Sequence, residues 1–151
     1  IKVALQHPEK QIRVIHVSSG DGELVFLNSQ IASRVSTISS LDGLLEYCSV
    51  LQNNFSPSME YAFGSTPMYS LSKCLLTHSA PLLQAMAPSN FKIVSWCPGD
   101  FSSPMSSEDE CERAVDVRET FPYLWDMLTD PIQGGKYEGG KLYRKGAEIP
   151  F

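Results

Sequence analysis

The sequence has no closely spaced cysteine pair, no long apolar run and no excess of basic charge. Its four cysteines, Cys48, Cys74, Cys97 and Cys111, are scattered along the chain. None forms the C-x-x-C pair that a metal knuckle or a redox dithiol needs. Reduced thiols in an intracellular compartment, cytoplasmic or organellar, are therefore expected. No stretch approaches the length needed to span a membrane. With 12 basic against 17 acidic residues the net charge is −5, and the basic stripe that phosphate backbones require is missing. Nucleic acid and bilayer are thus poor partners. The opening IKVALQHPEK carries neither an initiator methionine nor the charged-then-apolar order of a signal peptide, so further residues are expected upstream of Ile1.

What is present describes one globular unit: 151 residues, 42% hydrophobic, 19% charged, with ten prolines. A short helix over residues 1–6 should stop at His7-Pro8, because proline disfavours helix in the residue before it. IRVIHVSS (12–19) is a nearly continuous apolar, β-branched run that ends in polar and glycine residues, and it reads as a parallel strand buried on both faces. Leu41, Leu44, Leu45, Cys48 and Leu51 have helical spacing. Thr66 can cap a further helix with Pro67 at its first position. Leu71, Leu75, His78 and Leu82 share one face of it, and Pro81 should kink the helix or end it early. FKIVSWC (91–97) is a second buried strand running into Pro98-Gly99. After the loop SSPMSSEDE (102–110), one or two short helices split near Pro122 are expected, then at most a short strand around Leu142 and Tyr143. Strand, helix and strand in this order indicate an α/β fold, a doubly wound parallel sheet of Rossmann-like type. Ligands of such sheets gather beyond the carboxyl ends of the strands, where Ser18-Ser19 and Pro98-Gly99 both lie.

The stretch PMYSLSKCLL (67–76) places Tyr69 four positions before Lys73. On a helix these positions share a face with Cβ atoms roughly 5–6 Å apart. An ammonium there favours the phenolate and makes the phenol a stronger general acid. A hydroxyl from Ser19 can bond the same substrate oxygen and stabilise the charge that develops on it.

Three segments occur in order: VSSG (17–20) at a strand end, YSLSK (69–73) opening the next major helix, and CPGDFSSPM (97–105) after the following strand. In this order they resemble the C-terminal part of the short-chain dehydrogenase/reductase family. The 50 positions between Ser19 and Tyr69 are similar to the carbonyl-reductase branch, which carries a helical insertion there, placed here at about 24–64. The resemblance implies that Ser19, Tyr69 and Lys73 are catalytic: Tyr69 protonates the carbonyl oxygen, Lys73 assists it and binds the nicotinamide ribose, and Ser19 holds the substrate. It further implies that Tyr69, Lys73, Pro98, Gly99, Phe101 and Ser103 bind the cofactor, NADP ahead of NAD, with no metal. The substrate would be a small carbonyl compound or alcohol, and residues 102–110 would form a lid. Pro104 stands where the family often has an acidic residue. The glycine-rich turn of the cofactor site is absent from this sequence, so an N-terminal half or a partner chain is expected to complete the sheet. An inserted helix beside the tyrosine helix would obstruct the family's tetramer contact. The alternative is a non-catalytic structural or binding subunit that keeps the fold.

Other motifs carry less. Ser70 and Lys73 also match the Ser-x-x-Lys pair of serine β-lactamases, whose companion Ser-Asp-Asn and Lys-Thr-Gly motifs are missing. Gly135 to Lys141 nearly spells a phosphate-binding loop, but Leu142 replaces the needed hydroxyl, so the stretch reads as a turn. His16 and His78 read as hydrogen-bonded core residues. Glu108, Asp109, Glu110 and Glu112 read as an acidic helix start.

Overall fold

The seven residues Phe91–Cys97, five of them apolar together with Lys92 and Ser95, are buried at every position and form an inner strand of the sheet. The computed structural model describes residues 1–54, 67–100 and 114–151. Helix α1 (Lys2–Gln6) leads into β1 (Ile12–Val17), which is followed by two single 3-10 turns, α2 (Ser29–Ser36) and α3 (Leu41–Asn54). Then come α4 (Pro67–Ala85), β2 (Phe91–Cys97), α5 (Val117–Thr129), β3 (Leu142–Arg144) and β4 (Ala147–Ile149). The sheet order is β1-β2-β3-β4. β1 and β2 are parallel with Val17 opposite Trp96, β2 and β3 are parallel with Cys97 opposite Arg144, and β4 returns antiparallel.

One helix packs on each side of β2. Ala80 and Leu83 of α4 cover Phe91, Ile93, Ile12 and Val14, whereas Leu124 and Met127 of α5 cover Val94, Trp96 and Ile15 together with Tyr137 and Tyr143. Alternation of side chains along a strand sends these two sets to opposite faces. A third cluster joins the outer side of α4 to the helical segment before it, through Leu71 and Cys74 against Leu27, Val35 and Tyr47.

Several sequence expectations change. β1 is only half-buried and Val17 is 53% exposed, because among the described residues this strand has a neighbour on one side only. Helix α5 is not split at Pro122. Its start is capped by the Asp116 carboxylate, which accepts from Arg118 N at 2.8 Å. Its end is held by the Arg13 guanidinium, which donates to the Leu128 and Asp130 carbonyls. Pro81 does not end α4 early, since the helix continues to Ala85. The tail forms two strands rather than one. Lys145 (φ 51°) and Gly146 (φ 76°) make a two-residue turn with left-handed backbone at both positions, the geometry that matches strand twist in a hairpin. Leu45, assigned to the apolar stripe of α3, is 59% exposed. Tyr47 takes a buried place on that helix.

Candidate active site

β1 ends in two serines that do different work. Ser18 N extends the β1–β2 pairing by donating to Trp96 O at 2.7 Å. Its buried side chain turns toward α4, where Oγ donates to Lys73 O at 3.3 Å and shares a hydrogen bond with Thr77 Oγ1 at 2.5 Å. Ser18 was legible only as a strand-end hydroxyl, yet it is the anchor between strand and helix. Ser19 is half-buried and caps the 3-10 turn Gly20–Gly22, its Oγ accepting from Asp21 N at 3.2 Å. That turn lies against α4 so closely that a Cβ on Gly22 would stand 2.9 Å from the Lys73 carbonyl carbon. Only a residue without a side chain permits the approach.

Helix α4 starts at Pro67, so Tyr69 lies in the first turn and Lys73 in the next. Tyr69 is 46% exposed. Lys73 Nζ sits 5.6 Å from the centre of the Tyr69 ring and donates to Val17 O at 2.9 Å. The ammonium is therefore held between the ring and the last residue of β1, with further donors to spare. Tyr69 and Lys73 are joined as their spacing requires, and Lys73 reaches the strand end that carries Ser19.

At the end of β2, Gly99 takes φ +79°, and among the described residues nothing lies within 4 Å of the place where its Cβ would stand. With Pro98 it leaves open backbone at the strand terminus. Phe101, Ser103, Pro104, the expected lid at 102–110, the acidic stretch with Cys111 and the Thr66 cap lie outside the described residues. The end of β3 also belongs here: Arg144 Nη1 and Cys97 Sγ come within 3.0 and 3.9 Å of the point a Gly20 Cβ would occupy. Three strand ends thus converge next to Ser19. Sequence reading missed Arg144 and Gly20, whose only signal was a lone cation ending a short strand and a glycine after Ser-Ser.

The remaining motifs are structural. Ser70 is buried. Gly140 N donates to Ile93 O at 2.7 Å, and β3 follows it without a helix. His78 Nε2 bonds Ile38 O at 2.8 Å. Burial lowers the pKa of His16, with a backbone bond to Leu76 opposing, while its Nδ1 is buried without a partner, so only part of that ring is satisfied as expected. Cys74 is buried and its thiol pushed up to about 11, which makes it a poor nucleophile.

Parallel strands β1 to β3, with helices on both faces of the sheet, define a Rossmann-like fold. Among solved structures, salutaridine reductase from Papaver somniferum is similar with a TM-score of 0.70 at 19% identity, over 93% of this chain and 48% of that one. Menthone neomenthol reductase from Mentha piperita is similar with a TM-score of 0.61 at 17% identity, over 95% of this chain and 45% of that one. The chain spans about half the length of these structures. No protein-family model and no curated protein sequence matches it. Among the described residues, no helix is long and apolar enough to cross a membrane.

Proposed function

We propose that the protein carrying this chain is a nicotinamide-dependent oxidoreductase that reduces a carbonyl, or oxidises the corresponding alcohol, by hydride transfer. The observation that supports it best is the Lys73 ammonium, held between the Tyr69 ring and the Val17 carbonyl at the strand end. The open backbone at Pro98-Gly99 suits the flat face of a nicotinamide, because among the described residues no side chain fills the place beside Gly99. Tyr69 and Lys73 would hold the adjoining ribose, with Phe101 and Ser103, which follow Pro98-Gly99 in sequence, contributing as well. When bound, NADP, or NAD in its place, supplies the hydride.

The chain's own groups manage the oxygen. Ser19 Oγ accepts from Asp21 N, so its proton is free to bond the substrate oxygen and hold it at the end of β1. Tyr69, exposed in the first turn of α4, gives its phenolic proton to that oxygen as it becomes an alkoxide. Lys73 keeps a positive charge beside the phenol while its bond to Val17 O fixes where that charge sits. Residues 24–64 are an insertion whose described part, 24–54, covers the outer side of α4, and the protein does not use that side for a family-type tetramer. The packing of Leu27, Val35 and Tyr47 on Leu71 and Cys74 supports this reading.

The test is a Tyr69→Phe comparison in the full-length protein, following carbonyl-dependent oxidation of NADPH and of NADH. The variant should lose about 10²–10⁴-fold in turnover, the usual contribution of a positioned acid. Equal rates would remove Tyr69 from the mechanism. Failure of the wild-type protein to bind either nicotinamide cofactor would leave the non-catalytic subunit as the reading.

A further inference from the structure

Arg144 ends β3 with its side chain exposed and laid across the end of β2 toward Gly20. Its Nη1 is 3.0 Å from the point where a Gly20 Cβ would stand. Gly20 adjoins Ser19, so the guanidinium lies one residue from the hydroxyl assigned to the substrate oxygen. With glycine at 20 the guanidinium can take this place without shifting. No hydrogen bond or ion pair engages the Arg144 guanidinium among the described residues. One carboxylate is near: Glu23 Oε1 is 3.7 Å from the same point, yet it forms no ion pair with Arg144. A guanidinium offers a planar fork of donors that matches a carboxylate in two parallel bonds. Here that fork is unspent beside the ends of β1 and β2.

Resting on the reductase reading, we propose that Arg144 determines specificity by receiving a carboxylate of the substrate. The preferred substrate class is then a carbonyl compound bearing an acidic group close to the reacting carbon. Glu23 stands on the same side and repels that anion, so it limits the affinity that Arg144 provides. The substrate's anion bonds Arg144 while its carbonyl oxygen meets Ser19 and Tyr69, which orients the reacting carbon by two points rather than one.

The experiment uses the full-length protein and pairs of oxo compounds matched in length, one a carboxylate and the other its carboxamide, with kcat/KM read from coenzyme oxidation. Arg144→Gln should lower the acid's value about 10–100-fold more than the amide's, as expected for loss of a charged hydrogen bond. Arg144→Lys should fall between, and Glu23→Gln should raise the acid's value alone. Equal losses for acid and amide, or no loss for either, overturn the inference while the reductase reading survives. A rise in the coenzyme KM common to both substrates also overturns it, because the anion on Arg144 would then be the cofactor's phosphate. If the wild-type protein oxidises no coenzyme with any carbonyl, the reductase reading and this inference fall together.

Discussion

Lys73 Nζ donates to the Val17 carbonyl at 2.9 Å, across 56 positions of sequence, and so ties the second turn of α4 to the last residue of β1. The same amine stands 5.6 Å from the Tyr69 ring. One side chain therefore sets both the place of the strand end and the electrostatic surroundings of the phenol.

Lys73→Met should remove both contacts. On the proposed mechanism, turnover should fall about 10²-fold or more, with a smaller change in melting temperature because the site is half-exposed. Lys73→Arg should recover part of the rate, since a charge is restored with a different reach. A methionine variant that keeps full activity with either cofactor would remove Lys73 from the chemistry.

Gly22→Ala places a methyl 2.9 Å from the Lys73 carbonyl carbon and 3.0 Å from its oxygen. These are backbone atoms of a helix and cannot swing aside, so the turn after Ser19 must lift away. The expected cost is about 1–3 kcal/mol in urea unfolding, with a parallel loss of activity as Ser19 moves. An unchanged unfolding midpoint would show that the turn is not seated on α4.

Asp130 and Lys92 form an ion pair at 3.3 Å, each side chain 7% exposed. Burial pushes the Asp130 carboxyl up. The N–H groups of Lys136 and Tyr137 and the Lys92 ammonium outweigh burial and hold it below the ordinary carboxylate value. A depressed folded pKa contributes stability above the unfolded value, about 4 for aspartate, and loses it as pH falls through the folded value. Asp130→Asn leaves Lys92 buried without its anion and should cost about 3–5 kcal/mol at neutral pH. The gap from wild type should narrow below about pH 4, a trend that urea midpoints at pH 7 and pH 3 measure directly. A gap independent of pH would show that the pair is not what stabilises this corner.

Gly140 takes φ +81°, and a Cβ there would stand 2.9 Å from Pro81 Cα. Gly140→Ala should therefore be less stable by at least about 1–2 kcal/mol, the backbone strain alone. Gly99→Ala, with φ +79° and no described residue within 4 Å of the added methyl, carries the strain without that clash. Stability loss at 140 should exceed that at 99, and the reverse order would contradict the packing of the tail on α4.

The covered outer side of α4 predicts the state of the protein in solution. Light scattering on the full-length protein should show no family-type tetramer, because Val35, Leu27 and Tyr47 already occupy that face of the helix. Leu71→Ala, at a residue 2% exposed within that cluster, should cost about 2–5 kcal/mol. A tetramer would end the reading of 24–64 as a covering insertion.

Local chemistry was legible wherever one short segment carries the whole signal. The run FKIVSWC announced a strand buried on both faces, Pro67 marked a helix start, and the interval from Tyr69 to Lys73 put the two on one face. The β4 strand escaped notice because three residues are too few to show a period of two, and Lys145-Gly146 is not among the commonest hairpin pairs. Pro122 misled because proline argues against helix locally, whereas Asp116 at one end, Arg13 at the other and Leu124 and Met127 against the sheet hold α5 together. Such support comes from residues distant in sequence, and no window of the chain contains it.

Sequence alone determined the fold class, the order of strand, helix and strand, and the pairing of a phenol with an amine, since each follows from periodicity and spacing within a few residues. Only the tertiary structure decided that Ser18 rather than Ser19 fastens the strand to the helix, that Lys73 spends a proton on Val17, and that Arg144 arrives beside Gly20. Those facts depend on where separate elements come to rest against one another, and that is set by burial of the whole sheet rather than by any local run.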